Sequence, residues 1–167
     1  MFNRGFEALL VSYDMESAYD LFENKISFAF QNHPLSYLYE TDTARQNKLR
    51  LGFKERPDGS SESYSSISVR TSGRSSTLNR VHISEFGKIA SHNPEKANEI
   101  LSGTFPAVPI GGRIDIESTA ESDNDVFAEM FWEAWNRQEA GNYQPRPTDF
   151  KAHFYNWQWD TKEIAKI

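Results

Sequence analysis

Apolar positions along the chain switch between two periods. Ala8 to Val11 form a short continuous apolar run that ends in Ser12, Tyr13 and Asp14, the pattern of a buried parallel strand that feeds a helix. Asp14 is placed to cap that helix and Glu16 falls in its first turn. Ala18, Leu21, Phe22, Ile26, Ala29 and Phe30 then recur at near-helical spacing as far as Gln31, and Pro34 stops the run.

The pattern next changes to alternation: Leu49, Leu51 and Phe53, then Ile67 and Val69, with Pro57-Asp58-Gly59 between them. This predicts a β-hairpin with a long serine-rich connection. Nine of the residues from 60 to 76 are serine, as in a flexible linker. The alternation of Ile67 and Val69 decides for the hairpin, because a linker has no apolar face. Arg80 to Ser84 follow as a strand that delivers Glu85 at its end, and a helix is expected from Asn93 as cap, with Pro94 in first position and Gly103 just past its end. Arg113 to Ser118 predict another strand. Ser122 to Asn124 are expected to cap a helix whose apolar face is Val126, Phe127, Met130, Phe131 and Ala134, closed by Gly141, and Phe150 to Trp157 read as a last strand. Alternating strands and helices predict an α/β fold: a mainly parallel sheet with flanking helices and an inserted β-hairpin, in a single domain spanning 1–167.

Length and composition agree, since 167 residues at 38% hydrophobic and 14% aromatic suffice for one well-buried core. There is no cysteine, which excludes disulfides, thiolate metal sites and a cysteine nucleophile. No stretch approaches the roughly 18 apolar residues that cross a bilayer, and MFNRGFEALL lacks a signal-peptide layout. These features suit a cytoplasmic protein without a membrane partner. The net charge of −6 hides a basic window: from 45 to 80, eight bases face three acids. Arg45, Lys48, Arg50, Lys54 and Arg56 make its hairpin part a candidate for salt-sensitive contact with the DNA backbone.

In open parallel sheets chemistry gathers beyond the carboxyl ends of the strands. Three segments qualify here: Ser12 to Asp14, Ser84-Glu85, and Ser118-Thr119-Ala120. A carboxylate at a strand end can orient an attacking water or hold a metal-bound one, and a neighbouring Ser-Thr pair can sense a γ-phosphate by hydrogen bonding. Other chemistries fit less well. Asp115 and Glu117 share one strand face, as in two-metal nucleases, but would need Asp14 or Glu85 to converge on them. His33, His82, His92 and His153 show no ligand spacing, and Ser12, Ser84 and Ser118 lack a G-x-S-x-G elbow. The aromatic groups Phe127, Phe131, Trp132, Trp135 and Phe150, Phe154, Tyr155, Trp157, Trp159 are expected to pack.

In their order, ALLVSYDMESAYDLFENKISFA, the basic hairpin, SGRSSTLNRVHISEF, FPAVPIGGRIDIESTAESDNDVFAEMFWEAW and FKAHFYNWQWD resemble the ATPase domain of the phage large terminase subunit. The resemblance covers most of the chain. It implies a P-loop-NTPase-like fold in which VHISE is the Walker B strand, Glu85 activates water for ATP hydrolysis, and Ser118-Thr119-Ala120 couples hydrolysis to movement of double-stranded DNA. It also implies ATP and Mg2+ as cofactors, a bacterial host cell, and portal protein and small terminase subunit as partners. Arg74 becomes a finger candidate, an effect of about 10³–10⁵ in rate. Two departures stand out. Ser84 occupies the place of the aspartate that normally holds the magnesium hydration shell, so it could reach the metal only through water. No G-x-x-x-x-G-K-[ST] loop exists in the sequence, so the chain resembles a central fragment lacking the first strand and the phosphate-binding loop, with surfaces suited to a homo-oligomer. The alternative is a non-catalytic binding or assembly remnant of a prophage terminase.

Overall fold

The computed structural model describes residues 5–45, 47–53, 65–73 and 77–156. Its centre is a six-stranded sheet in the order β2-β3-β4-β1-β5-β6, with β1 Glu7–Val11, β2 Tyr39–Arg45, β3 Lys48–Phe53, β4 Ser65–Arg70, β5 Arg80–Ile83 and β6 Arg113–Ile116. Strands β4, β1, β5 and β6 run parallel, while β2 and β3 are antiparallel additions at one side. The expected hairpin is β3 with β4, and it belongs to the main sheet, because β4 also pairs with β1 from Glu7–Ser66 to Val11–Arg70.

Each face has its own core. Leu9, Val11, Val81 and Ile83 point to the face covered by α3 (Phe86–His92), α4 (Pro94–Gly103) and α5 (Val126–Glu139), where they meet Phe86, Ile89, Ala90, Ala97 and Ile100. On the opposite face Leu49, Leu51, Val69 and Tyr39 pack against Ala18 and Phe22, with Leu10, Ile26 and Phe30 partly buried around them. That second core lies under a continuous helical stretch made of α1 (Met15–Leu21), a π-helical segment Phe22–Ser27 and α2 (Phe28–Gln31). Asp14 caps it by accepting the Ser17 N–H at 2.7 Å. The wide turns explain a departure from the expected stripe. The apolar residues step by four, from 18 to 22, 26 and 30, and the π turns carry Ala29 into solvent.

Serine has a packing reason in β4. Ser65, Ser66 and Ser68 are buried; Ser65 Oγ accepts the Phe6 N–H at 3.1 Å and the Ser66 hydroxyl donates to Glu7. Helix α4 starts at Pro94 with Asn93 accepting the Lys96 N–H, as expected, while α5 is capped one residue later than expected, by Asp125. Phe150 to Asn156 form no strand, which corrects the expectation for that run; Trp157 and Trp159 lie outside the described residues. The segment is held by side chains instead of a ladder. Ala152 N–H donates to Gln138 Oε1 at 2.5 Å, Gln138 Nε2 donates to the Ala152 carbonyl at 3.1 Å, and Phe150 packs on Phe105.

Asp149 ties this segment to α5. It receives the Arg146 backbone N–H at 2.9 Å, the Arg146 guanidinium at 3.0 Å, the Tyr143 hydroxyl at 2.9 Å and Arg137 at 3.2 Å. The Arg146 bonds hold its carboxyl far below the usual carboxylate range. A depressed folded-state pKa contributes stability that is present above the unfolded value of about 4 and lost as pH falls toward the folded one. Asp149→Asn should therefore lower the thermal midpoint at neutral pH, and melts in successively more acidic buffer should show the gap from wild type closing below about pH 4. A gap independent of pH would place the effect elsewhere.

Candidate functional site

Because β1, β5 and β6 are parallel neighbours, the three polar segments that follow them emerge at one edge of the sheet. The backbone ladder runs on past the strands. Ser12 N–H donates to Arg70 O at 2.9 Å, Ser84 N–H to Val11 O at 2.9 Å, and Glu117 N–H to Ile83 O at 3.0 Å. Glu85 and Ser118 thus share one tip.

At that tip the chain turns sharply. Glu85 has φ 55 and ψ 43, the left-handed region, and is the single non-glycine residue with positive φ among the described residues. Such a conformation costs on the order of 1–3 kcal/mol and collects at functional sites. The turn sends Phe86 N–H to Glu117 O at 3.1 Å and Gly87 N–H to Ser118 Oγ at 3.0 Å. Position 87 must be glycine, since a Cβ there would lie 2.8 Å from Ser118 Oγ and 3.1 Å from the Thr119 carbonyl. Although Glu85 stands at the N-cap of α3, its side chain makes no cap bond. Its carboxylate instead takes a long bond, 3.3 Å, from the Thr119 hydroxyl.

Ser84 points to the other side of β5 from Ile83 and donates to Glu117 Oε1 at 2.6 Å. His82, two residues earlier on the same strand face, brings Nε2 within 3.5 Å of that oxygen. The sequence pattern does not show Glu117 as a partner of Ser84; the signal lay in the β5–β6 register, which pairs His82 with Asp115 and Ile83 with Ile116. At the end of β1, Lys96 Nζ donates to the Tyr13 carbonyl at 2.6 Å and Lys88 Nζ stands 4.4 Å above the Tyr13 ring. Burial pushes the Lys96 ammonium below its ordinary pKa, and Asp14 and Glu99 act against that shift. Lys96 also lines a cleft of about 420 Å³ with Thr71, Ser72, Asn93, Glu95 and Glu99. Glu85 is not part of that cleft.

The remaining expected site residues separate. Lys48 pairs with Glu7 at 3.7 Å, and Arg50 lies opposite Asp42 in the β2–β3 register. Arg45 ends β2. Lys54, Arg56 and Arg74 lie outside the described residues. The nuclease arrangement does not form: Asp115 is held between Arg80, at 2.9 Å, and Arg113, at 2.7 Å. Burial raises its pKa, but the bonds from Arg113 and Arg80 outweigh that and hold the carboxyl below its usual range. Among the described residues no three His, Asp or Glu side chains gather as a metal cluster, and no helix is long and apolar enough to cross a membrane. What the tip offers is the carboxylates of Glu85 and Glu117, with Glu121 Oε1 3.4 Å from the Thr119 hydroxyl, among serine and threonine hydroxyls. Magnesium, which keeps most of its waters and needs only one or two carboxylates, fits such a set of hard oxygen donors.

No family model and no curated protein matches the chain in sequence. Solved structures do match in fold. The large terminase ATPase domain of Thermus phage P74-26, in an arginine-to-alanine variant, superposes with a TM-score of 0.58 at 18% identity, covering 94% of this chain and 66% of that one. The same domain without the substitution gives 0.53 at 16%, covering 90% and 61%. The chain has the fold of a phage large terminase ATPase domain. It spans just under two thirds of the length of the domains it matches.

Glu85→Gly should stabilise the protein by up to about 1 kcal/mol, because glycine adopts the left-handed turn freely. Gly87→Ala should destabilise it by about 1–3 kcal/mol through overpacking against Ser118 and Thr119. Chemical denaturation measures both; a destabilised Glu85→Gly would show that the turn holds no strain.

Proposed function

We propose that this chain is a segment of the ATPase domain of a viral DNA-packaging motor, a large terminase subunit, and that its strand tip works on ATP. The observation that carries this is the meeting of Glu85 and Thr119 across adjacent strand ends, on a fold shared with terminase ATPase domains. In this reading Glu85, the general base, takes a proton from the water that attacks the γ-phosphate. Its left-handed turn aims the carboxylate away from the α3 backbone, so its oxygens are not spent on capping. Thr119 and Ser118 tie the β6 end to Glu85 and to α3, so a change at the phosphate would reach both strands. Mg2+ would supply charge neutralisation on the phosphates, held through water by the tip oxygens, Ser84 among them.

Arg74 keeps the role of finger candidate, and double-stranded DNA, the portal protein, the small terminase subunit and further copies of the chain are the partners that a motor of this kind engages. ATP-driven DNA translocation belongs to the full-length protein. The sequence holds no phosphate-binding loop, which favours a second reading for the chain by itself, a non-catalytic assembly or binding module derived from a prophage terminase.

Calorimetry and amide NMR with ATP and Mg2+ separate the two. Weak binding that shifts the signals of residues 84–86 and 118–120 is expected, with hydrolysis weak or absent. Nucleotide that perturbs none of these residues would leave the assembly module standing, and a magnesium-dependent turnover abolished by Glu85→Gln would show the chain to be a complete enzyme. DNA contact by the basic hairpin has its own signature: affinity for a short duplex should fall steeply from low to moderate salt and weaken on charge reversal at Arg50 and Lys54. Binding indifferent to salt would remove DNA from the hairpin.

A further inference from the structure

In the sequence Glu117 is the second acid, after Asp115, on one face of its strand. Three features place it in the site. It lies one residue beyond the last β6 pair, so it stands directly across from Ser84, and the Ser84 hydroxyl donates to its Oε1 at 2.6 Å. Its backbone is fixed on both sides, with its N–H on Ile83 O and its carbonyl on Phe86 N–H. Its side chain is half exposed, at 49%, and Oε2 has no partner among the described residues. A serine hydroxyl is neutral and cannot supply the charge that a divalent cation draws on, whereas a carboxylate can. The anionic oxygen bonded to Ser84 is that of Glu117.

We propose that Glu117 provides, from β6, the carboxylate that position 84 lacks on β5, and that it holds the hydration shell of the divalent cation with Ser84 as its fixed donor. This rests on the nucleotide reading above. Ser84 orients the carboxylate, in the way that hydrogen-bonded outer partners orient metal-holding groups generally. Glu85 remains free for water. His82 Nε2 stands 3.5 Å from Glu117 Oε1, on the face away from α3.

Mn2+, a paramagnetic stand-in for Mg2+, tests this on the whole chain without any need for turnover. It should broaden the amide signals of residues 84–86 and 117–119 in the wild type. Glu117→Gln, which preserves shape and the capacity to accept from Ser84, should weaken Mn2+ binding at least about tenfold. Combining it with Ser84→Asp, which moves the charge back to β5, should restore affinity to within a few fold; circular dichroism and unfolding midpoints check that each variant is folded. Mn2+ affinity unchanged in Glu117→Gln overturns the assignment of Glu117, and where ATP still shifts the strand tips it leaves the nucleotide reading intact. A wild type in which neither Mn2+ nor ATP reaches the tips overturns both.

Discussion

The molecule depends on a parallel ladder that does not stop where its strands stop. Beyond Ile83 and Ile116 the backbone bonds continue, from Ser84 to Val11, from Glu117 to Ile83 and from Phe86 to Glu117. Each such bond is worth only about 1 kcal/mol net. Their larger effect is geometric, because they bring the ends of β5 and β6 into one tip before any side chain acts. Phe86, fully buried and edge-on to Phe127 at 6.1 Å, pins the outgoing chain. Burial of such a side chain contributes about 1.5–3 kcal/mol, the same order as the strain at Glu85. The left-handed turn is therefore held by the core beneath it.

The two sheet faces are covered unequally. Helices α3 to α5 cover one face over β1, β5 and β6, and the α1–α2 stretch covers the other over the opposite half. On the second face, β5 and β6 carry Arg80, His82, Ser84, Arg113, Asp115 and Glu117. Parallel strands are usually apolar on both sides, so this strip is unusual, and it is balanced from within. Asp115 bridges two arginines that the register places side by side, and Glu117 serves Ser84 and His82.

Much of this was legible because apolar periodicity reports which face is buried. The run at Ala8–Val11, the cap at Asp14, the strand leading to Glu85, the Asn93-Pro94 start and the α5 face all have local signals, and the structure has each of them. Helix α3 was not legible, since it begins without a side-chain cap on a strained glutamate. Strand β2, YETDTAR, has no apolar alternation and exists by pairing with β3. Phe150 to Asn156 looked like a strand because aromatics favour sheets, yet side-chain bonds to α5 hold it. Glu85 and Ser118 could be placed as strand ends. The partnership of Ser84 with Glu117 could not, because inter-strand register is a property of three dimensions.

Gly87 gives the tip a mechanical character. Its bare Cα lets α3 rest directly on the Ser118 hydroxyl and the Thr119 carbonyl, with the gap too tight for even one added carbon. Densely packed interiors transmit strain instead of absorbing it, so this contact has little slack to take up a displacement of the strand end before it reaches the helix.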